Sequence, residues 1–190
     1  MQPPRAILFV DGENLVMRYQ ALVAAGRVPL AGVSHVKDVY VWHGAITEHA
    51  QYDFARVVYY TSVVGDEVRV NEIKGALARI IFKCQPDHQA SYTGQLLPKV
   101  FKKSAQSQKT RNVDIQIVID VMRHAHSNAF NLIFIASGDG DYLPLVSEVM
   151  HSGKQVYVAA FSSGLNPALT HSVDEFVDLD AFFFAPASGS

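Results

Sequence analysis

Four aspartates stand where apolar runs give way to polar chain. In "FVDGENL", Asp11 follows a continuous apolar stretch directly. In "IASGDGDYLPL", Asp139 and Asp141 follow a second such stretch, with Ser137 just ahead of them. In "RNVDIQIVID", Asp114 opens a run of helical periodicity. Carboxylates so placed can hold a hard cation or move protons. Gathered at one point without a basic partner they would repel: two unit charges 4 Å apart cost about 4 kcal/mol at an effective dielectric of 20. A divalent cation removes that cost, and Mg²⁺ and Mn²⁺ prefer carboxylate and water oxygens.

Competing chemistries lack their residues. There is no HExxH, no pair of CxxC motifs, and the eight histidines are scattered, so a zinc site is not expected. No G-x-G-x-x-G follows the first apolar run and no G-x-x-x-x-G-K-[ST] occurs, which argues against nucleotide binding. A phosphatase of the haloacid-dehalogenase type would want a second Asp two residues after Asp11, where Glu13 stands. The single cysteine, Cys84, cannot form an internal disulfide. It is expected to be an ordinary small apolar residue in a reducing, cytoplasmic setting. No stretch reaches 18 apolar residues and "MQPPRAILFV" lacks the pattern of a signal peptide, so no membrane association is expected.

The elements that must position these acids follow from periodicity. "AILFV", "FARVVYYTSVV", "NLIFIAS" and "QVYVAAF" read as buried strands, and "EFVDLD" as a last one. Helices are expected after Asp11 (with Leu15, Met17 and Leu22 as apolar positions, ending near Gly26), around Val70, Ile73, Leu77 and Ile80, and over residues 112–127 and 141–151. "NPALTHSV" reads as a short helical turn. Residues 84–111 read as irregular apart from a short hairpin near Tyr92-Thr93-Gly94, and a helix is expected over residues 35–42. With 190 residues the chain is long enough for one core, read as a single domain over 1–182 followed by a short tail, 183–190. Buried strands alternating with helices predict an α/β fold with a mainly parallel sheet flanked by helices in three layers. Ligands of such sheets sit beyond the carboxyl ends of the strands, where Asp11, Asp139 and Asp141 lie. Asp114 shares a helix face with Ile117, Val118, Val121 and Ala125, by steps of three and four. The carboxylates of Asp11, Asp114 and Asp139 are therefore expected within one ion's reach. Asp120 is rotated from Asp114 by roughly 240° and displaced by about 9 Å, so a structural role beside His124 is expected for it.

The net charge of −2 conceals a segregation. Residues 88–113 contain no acid but carry Lys99, Lys102, Lys103, Lys109 and Arg111, while the other eleven basic residues share the chain with eighteen acids. Such a stretch can be a solvated loop or a strip that neutralises a polyanion without reading bases. With only Tyr92 and Phe101 among its charges, it offers little platform for base stacking.

At these residues the chain resembles the NYN domain family, a branch of the PIN-like nucleases, and among its members the LabA-like bacterial proteins. The matching pieces stand in order over roughly residues 5–180: "ILFVDGENL" for an opening strand with DGxN, "KTRNVDIQIVIDVM" for a lysine-rich approach to V-D and a helix, "NLIFIASGDGDYLPLV" for SGDxD(F/Y)xPL, and "GKQVYVAAF" with "LNPALTHSVDEFVDL" for the close. "KTRNVD" departs from the K-G-V-D of many relatives by losing the glycine. The resemblance implies a PIN-like (Rossmannoid) fold and hydrolysis of RNA phosphodiester bonds in at least some members. It also implies an acidic pocket for Mg²⁺ or Mn²⁺. It matches Asp11, Asp114 and Asp139 to metal ligands, and Asp141 and Asn14 to further catalytic positions. Lys102, Lys103, Lys109, Arg111 and Ser137 become candidates for RNA phosphate contacts. Some relatives are better known as regulators, so a non-catalytic protein acting through RNA or protein partners is the alternative. The sequence leaves homodimer formation open.

Overall fold

The computed structural model describes residues 5–48, 52–86, 90–105 and 111–186. In chain order the elements are β1 (Arg5–Asp11), α1 (Gly12–Ala24), β2 (Ser34–Val36), β3 (Tyr40–Trp42), α2 (Ala45–Glu48), β4 (Asp53–Val64), α3 (Glu67–Ala78) and β5 (Ile81–Cys84). There follow β6 (Tyr92–Gln95), β7 (Leu97–Lys103), α4 (Arg111–Ala125), β8 (Leu132–Ala136), α5 (Leu143–His151), β9 (Gln155–Ala160), α6 (Pro167–His171), β10 (Glu175–Asp178) and α7 (Asp180–Phe183). A short 3₁₀ turn, Gly140–Tyr142, leads into α5.

Six strands form one sheet in the order β10-β9-β8-β1-β4-β7, and every neighbouring pair is parallel. From β1 the chain builds outward through β4 to β7. It then returns to β8 on the other side of β1 and builds outward again. The reversal makes a crevice between the carboxyl ends of β1 and β8, the usual ligand position in an open α/β sheet. Val10 pairs with Ala136, so the next step of that register brings Asp11 level with Ser137.

Alternation along β1 splits the core in two. Ala6, Leu8 and Val10 pack on one face with Leu15, Val16 and Tyr19 of α1, Val41 and Trp42 of β3, and Val70, Ile73 and Leu77 of α3. Ile7 and Phe9 pack on the other with Ile117 and Val121 of α4 and Val146 and Val149 of α5. The result is the expected three-layer α/β arrangement. Gly12 is fixed by close approach: a Cβ there would lie 2.3 Å from the Tyr59 ring and 2.5 Å from the Tyr60 carbonyl oxygen. The turn from β1 into α1 can therefore lie against β4 only without a side chain.

Four local expectations are corrected. Residues 35–42 form the β2–β3 hairpin rather than a helix, tied to the sheet by the Tyr59 hydroxyl, which donates to the Val41 carbonyl at 2.9 Å and accepts its N–H at 3.1 Å. Residues 97–103 are not irregular but an edge strand, while β5 and β6 supply the hairpin expected near Tyr92. Met17 and Val118 are exposed, so the buried faces of α1 and α4 are narrower than expected, and Val113 replaces Val118 in the second. The core also runs past residue 182, because Phe183 and Phe184 are buried and the Ala185 N–H donates to the Val28 carbonyl.

Candidate active site

Asp11 lies at the crevice and is 3% exposed. Its Oδ1 caps α1 by accepting the Asn14 N–H at 3.1 Å, which places the carboxylate at the positive end of that helix. Its Oδ2 accepts from the Ser137 hydroxyl at 2.9 Å across the β1–β8 gap. The Asn14 side-chain oxygen in turn accepts the Gly138 N–H at 3.1 Å, so the turn after β8 is stapled to the first turn of α1. Asp139 then caps the 3₁₀ turn, its Oδ1 accepting the Asp141 N–H at 3.0 Å. The two bonds that cross the gap join residues 126 and 124 positions apart in sequence, so the DGxN and SGDGD segments are tied into one unit only by the fold.

Tyr142 joins the acids. Its hydroxyl lies 3.4 Å from Asp11 Oδ2 and 3.4 Å from Asp114 Oδ1. Burial raises the Tyr142 phenol well above its usual range, and Asp11, Asp114 and Asp139 push it the same way. Asp11 itself is raised to about 7, first by burial and then by Asp114 and Glu13, against the hydrogen bonds from Asn14 and Ser137 that lower it. Burial and like charge thus disfavour its ionised form, an unusual state for an aspartate and one that marks functional sites.

The donor set fits a hard divalent cation, since Asp11, Asp114 and Asp139 offer only oxygen. The charge crowding that raises Asp11 is what such a cation would relieve. However, among the described residues no three acid, histidine or cysteine side chains stand close enough together to hold one ion. This corrects the expectation of a ready three-carboxylate cluster: Asp11 and Asp114 meet through Tyr142, and Asp139 stands beside them, committed to its cap. Mg²⁺ commonly takes one or two carboxylates and keeps several waters, so the pair is chemically sufficient.

The remaining candidates divide. Asp141 is exposed at the rim. Ser137, expected to touch phosphate, is 1% exposed and gives its hydroxyl to Asp11, so it orients that acid instead. Lys102 is exposed at the end of β7. Lys103 is not: its ammonium lies buried 3.3 Å from Glu13 Oε1, and the Ser62 hydroxyl donates to the same oxygen. Lys99 is paired with Asp120 at 2.5 Å. Lys109 lies outside the described residues, as does the side chain of Arg111. Asp120 is structural as expected but through other partners, Tyr60, Lys99, Gln116 and Arg123, while His124 packs between Phe9 and Phe130. Tyr142 and Glu13 are the site residues that sequence reasoning passed over. The aromatic after SGDGD was in plain view, and Glu13 sits inside DGEN.

The open parallel sheet with acids at its reversal point is an α/β arrangement of the kind found in PIN-like nucleases. A model of the NYN domain, a branch of that superfamily, matches residues 5–180, and the chain belongs to the NYN domain family. In overall structure the chain is similar to a protein of unknown function from Vibrio parahaemolyticus, with a TM-score of 0.60 at 16% identity over 97% of this chain and 98% of that one. At that identity the likeness concerns the fold. No curated protein matches. Among the described residues no helix is long and apolar enough to cross a membrane.

Proposed function

We propose that this chain is a divalent-metal-dependent ribonuclease, cutting RNA phosphodiester bonds at the Asp11–Asp114 pocket. The observation that carries the reading is the meeting of these two acids, from different elements, on one buried hydroxyl in the crevice of the sheet. Mg²⁺ or Mn²⁺ held by Asp11 and Asp114, with Asp139 beside them, would polarise the scissile phosphate and lower the pKa of a bound water. The chain's own residues do the rest. Ser137 and the Asn14 N–H fix both oxygens of Asp11. The Asn14 side chain holds the Gly138 turn in place. Tyr142 stands between Asp11 and Asp114, its one hydroxyl proton available to either acid or, in their place, to a substrate oxygen. Asp141 and Lys102, at the rim, face the incoming strand, an acid to order water and a cation for phosphate.

The test is cleavage of labelled single-stranded and hairpin RNAs with Mn²⁺ or Mg²⁺ and with chelator. Wild type should cut only with metal, and Asp11→Asn and Asp114→Asn should each reduce the rate by about a hundredfold or more while remaining folded. Metal-independent cutting, or full activity in both variants, would overturn the reading. A second reading, a regulator that binds without cutting, is favoured by the Tyr142 hydroxyl filling the gap between the two acids. It predicts RNA or protein binding with no cleavage under any metal.

A further inference from the structure

Arg18 stands on α1 one turn after Asn14, on the same helix face. Helical side chains lean toward the helix N-terminus, here the carboxyl edge of the sheet and the pocket. The guanidinium reaches the loop that follows β9, where it takes the space of a missing side chain. A Cβ on Gly164 would lie 2.1 Å from its Cζ and its Nη1, and 2.5 Å from its Nε. Gly164 has φ +64, so glycine suits this position twice over. Packing fixes the guanidinium, but no acid does. Arg18 Nε is buried without a hydrogen-bond partner, and among the described residues no hydrogen bond or ion pair holds the group. Arg27, further along the chain, also leaves its Nε without a partner, but its Nη1 pairs with Asp180 at 3.2 Å and the group lies over the Phe184 ring, so what sets Arg18 apart is the missing acid. Arg18 is only half-buried, so part of its side chain remains open to solvent.

The loop that seats Arg18 touches the acidic turn. Two residues after Gly164, the Asn166 N–H donates to the Gly138 carbonyl at 3.1 Å. Arg18 is thus on the β9 flank of the pocket, while exposed Lys102 lies one residue before the end of β7 on the other flank. Four strand spacings, about 19 Å, separate β9 from β7, with the acids between them. A polyanion lying across this edge would meet a cation on each side of the cut.

We propose that Arg18 is a phosphate-binding residue for the substrate strand on the β9 side of the pocket. A guanidinium held in place by packing loses little freedom on binding, and its planar fork matches phosphate oxygens. This rests on the ribonuclease reading, so the experiment separates the two. Binding of a labelled single-stranded RNA is measured with chelator present, for wild type, Arg18→Met and Arg18→Lys, as a function of salt. In parallel, inorganic phosphate is titrated into wild type while the Arg18 guanidinium resonances are followed by NMR.

Arg18→Met should weaken RNA binding about tenfold and reduce the salt slope by about 0.7, at an unchanged melting temperature. Arg18→Lys should restore the slope but only part of the affinity. The Arg18 resonances should move with phosphate. If they move but wild type binds no RNA, the anion site stands and the ribonuclease reading falls. If RNA binds and both variants bind equally well, with Arg18 silent to phosphate, the proposal is overturned and the ribonuclease reading survives. If neither RNA nor phosphate is bound, both fall.

Discussion

Asp11 and Asp120 are the same residue, buried to nearly the same degree at 3% and 4% exposure, and their carboxyls are displaced in opposite directions. Burial pushes both upward. Asp120 nevertheless ends below its usual value, because Lys99, Tyr60 and Gln116 donate to it and Lys99 adds its charge. Asp11 accepts from neutral donors and faces Asp114 and Glu13, so it ends near 7. Asp11 lies deep in the crevice, whereas Asp120 is covered by Lys99 and Arg123, which are themselves partly exposed, so both depth and partners set the difference. The partners divide the molecule into two regions. On the β4–β7 side, carboxylates are matched with cations and hold α4 and α1 to the sheet. At the β1–β8 crevice, Asp11 is left with negative neighbours, an arrangement that costs stability.

The largest effect should come from breaking the matched region. Asp120→Ala leaves a buried tyrosine hydroxyl and two cations without their acceptor, and removing one partner from a buried ionic network costs about 3–5 kcal/mol. Lys99 and Arg123 are partly exposed and can rehydrate, so the lower end is expected. Chemical denaturation at neutral pH measures it. A loss under about 1 kcal/mol would mean that the contrast with Asp11 is illusory.

The opposite sign is expected in the crevice. The Asp11 carboxyl, raised from its usual 3.8 to about 7, binds a proton in the folded state that the unfolded chain has already released. Without metal, wild type should therefore lose stability as pH rises from about 4 to about 7 and level off above. Asp11→Asn lacks that dependence. Its stability relative to wild type should climb across the same window. The displacement sets a ceiling of about 4 kcal/mol. Imperfect hydrogen bonds from the amide should reduce the gain to about 2 kcal/mol. Denaturation of both proteins from pH 4 to 9 with chelator checks it. A variant less stable than wild type at pH 8 would show that Asp11 is kept for its cap on α1.

How much of this could be read beforehand differs between the same two regions. The crevice draws on compact motifs at strand ends, so DGEN and SGDGD marked where Asp11 and Asp139 lie, while Asp114 comes from RNVD at the start of α4. Buried strands with helical periods between them were likewise enough for the layers. Both regions join residues far apart in sequence, but the pairs of the matched region, such as Tyr60 with Asp120 and Glu13 with Lys103, sit in no recognisable motif and no local period encodes them. For the same reason Lys99 and Lys103 looked like a basic surface when counted along the chain. Edge strand β7 places Lys103 against Glu13 and Lys99 against Asp120, leaving Lys102 exposed between them. The β2–β3 hairpin escaped notice because its strands are three residues each, too short to display alternation.

The smallest effect sharpens the boundary between the regions. Glu13 and Lys103 are 20% and 7% exposed, and their pair lies beside Asp11. Glu13→Gln should cost about 2 kcal/mol, because it strands a buried ammonium. Lys103→Met should cost about 1, since Glu13 is less buried and keeps the Ser62 hydroxyl. The double variant replaces the whole ion pair and should fall within about 1 kcal/mol of wild type. The coupling energy of this cycle is therefore about 3 kcal/mol, with the two changes offsetting one another. RNA binding supplies the second half of the test. Lys103→Met should leave the salt dependence unchanged, whereas Lys102→Ala, one residue away but exposed, should lower the slope by about 0.7. If Lys103→Met instead flattened the salt dependence and left stability intact, Lys103 would turn outward to the substrate, and Glu13 would belong with the unmatched acids of the crevice.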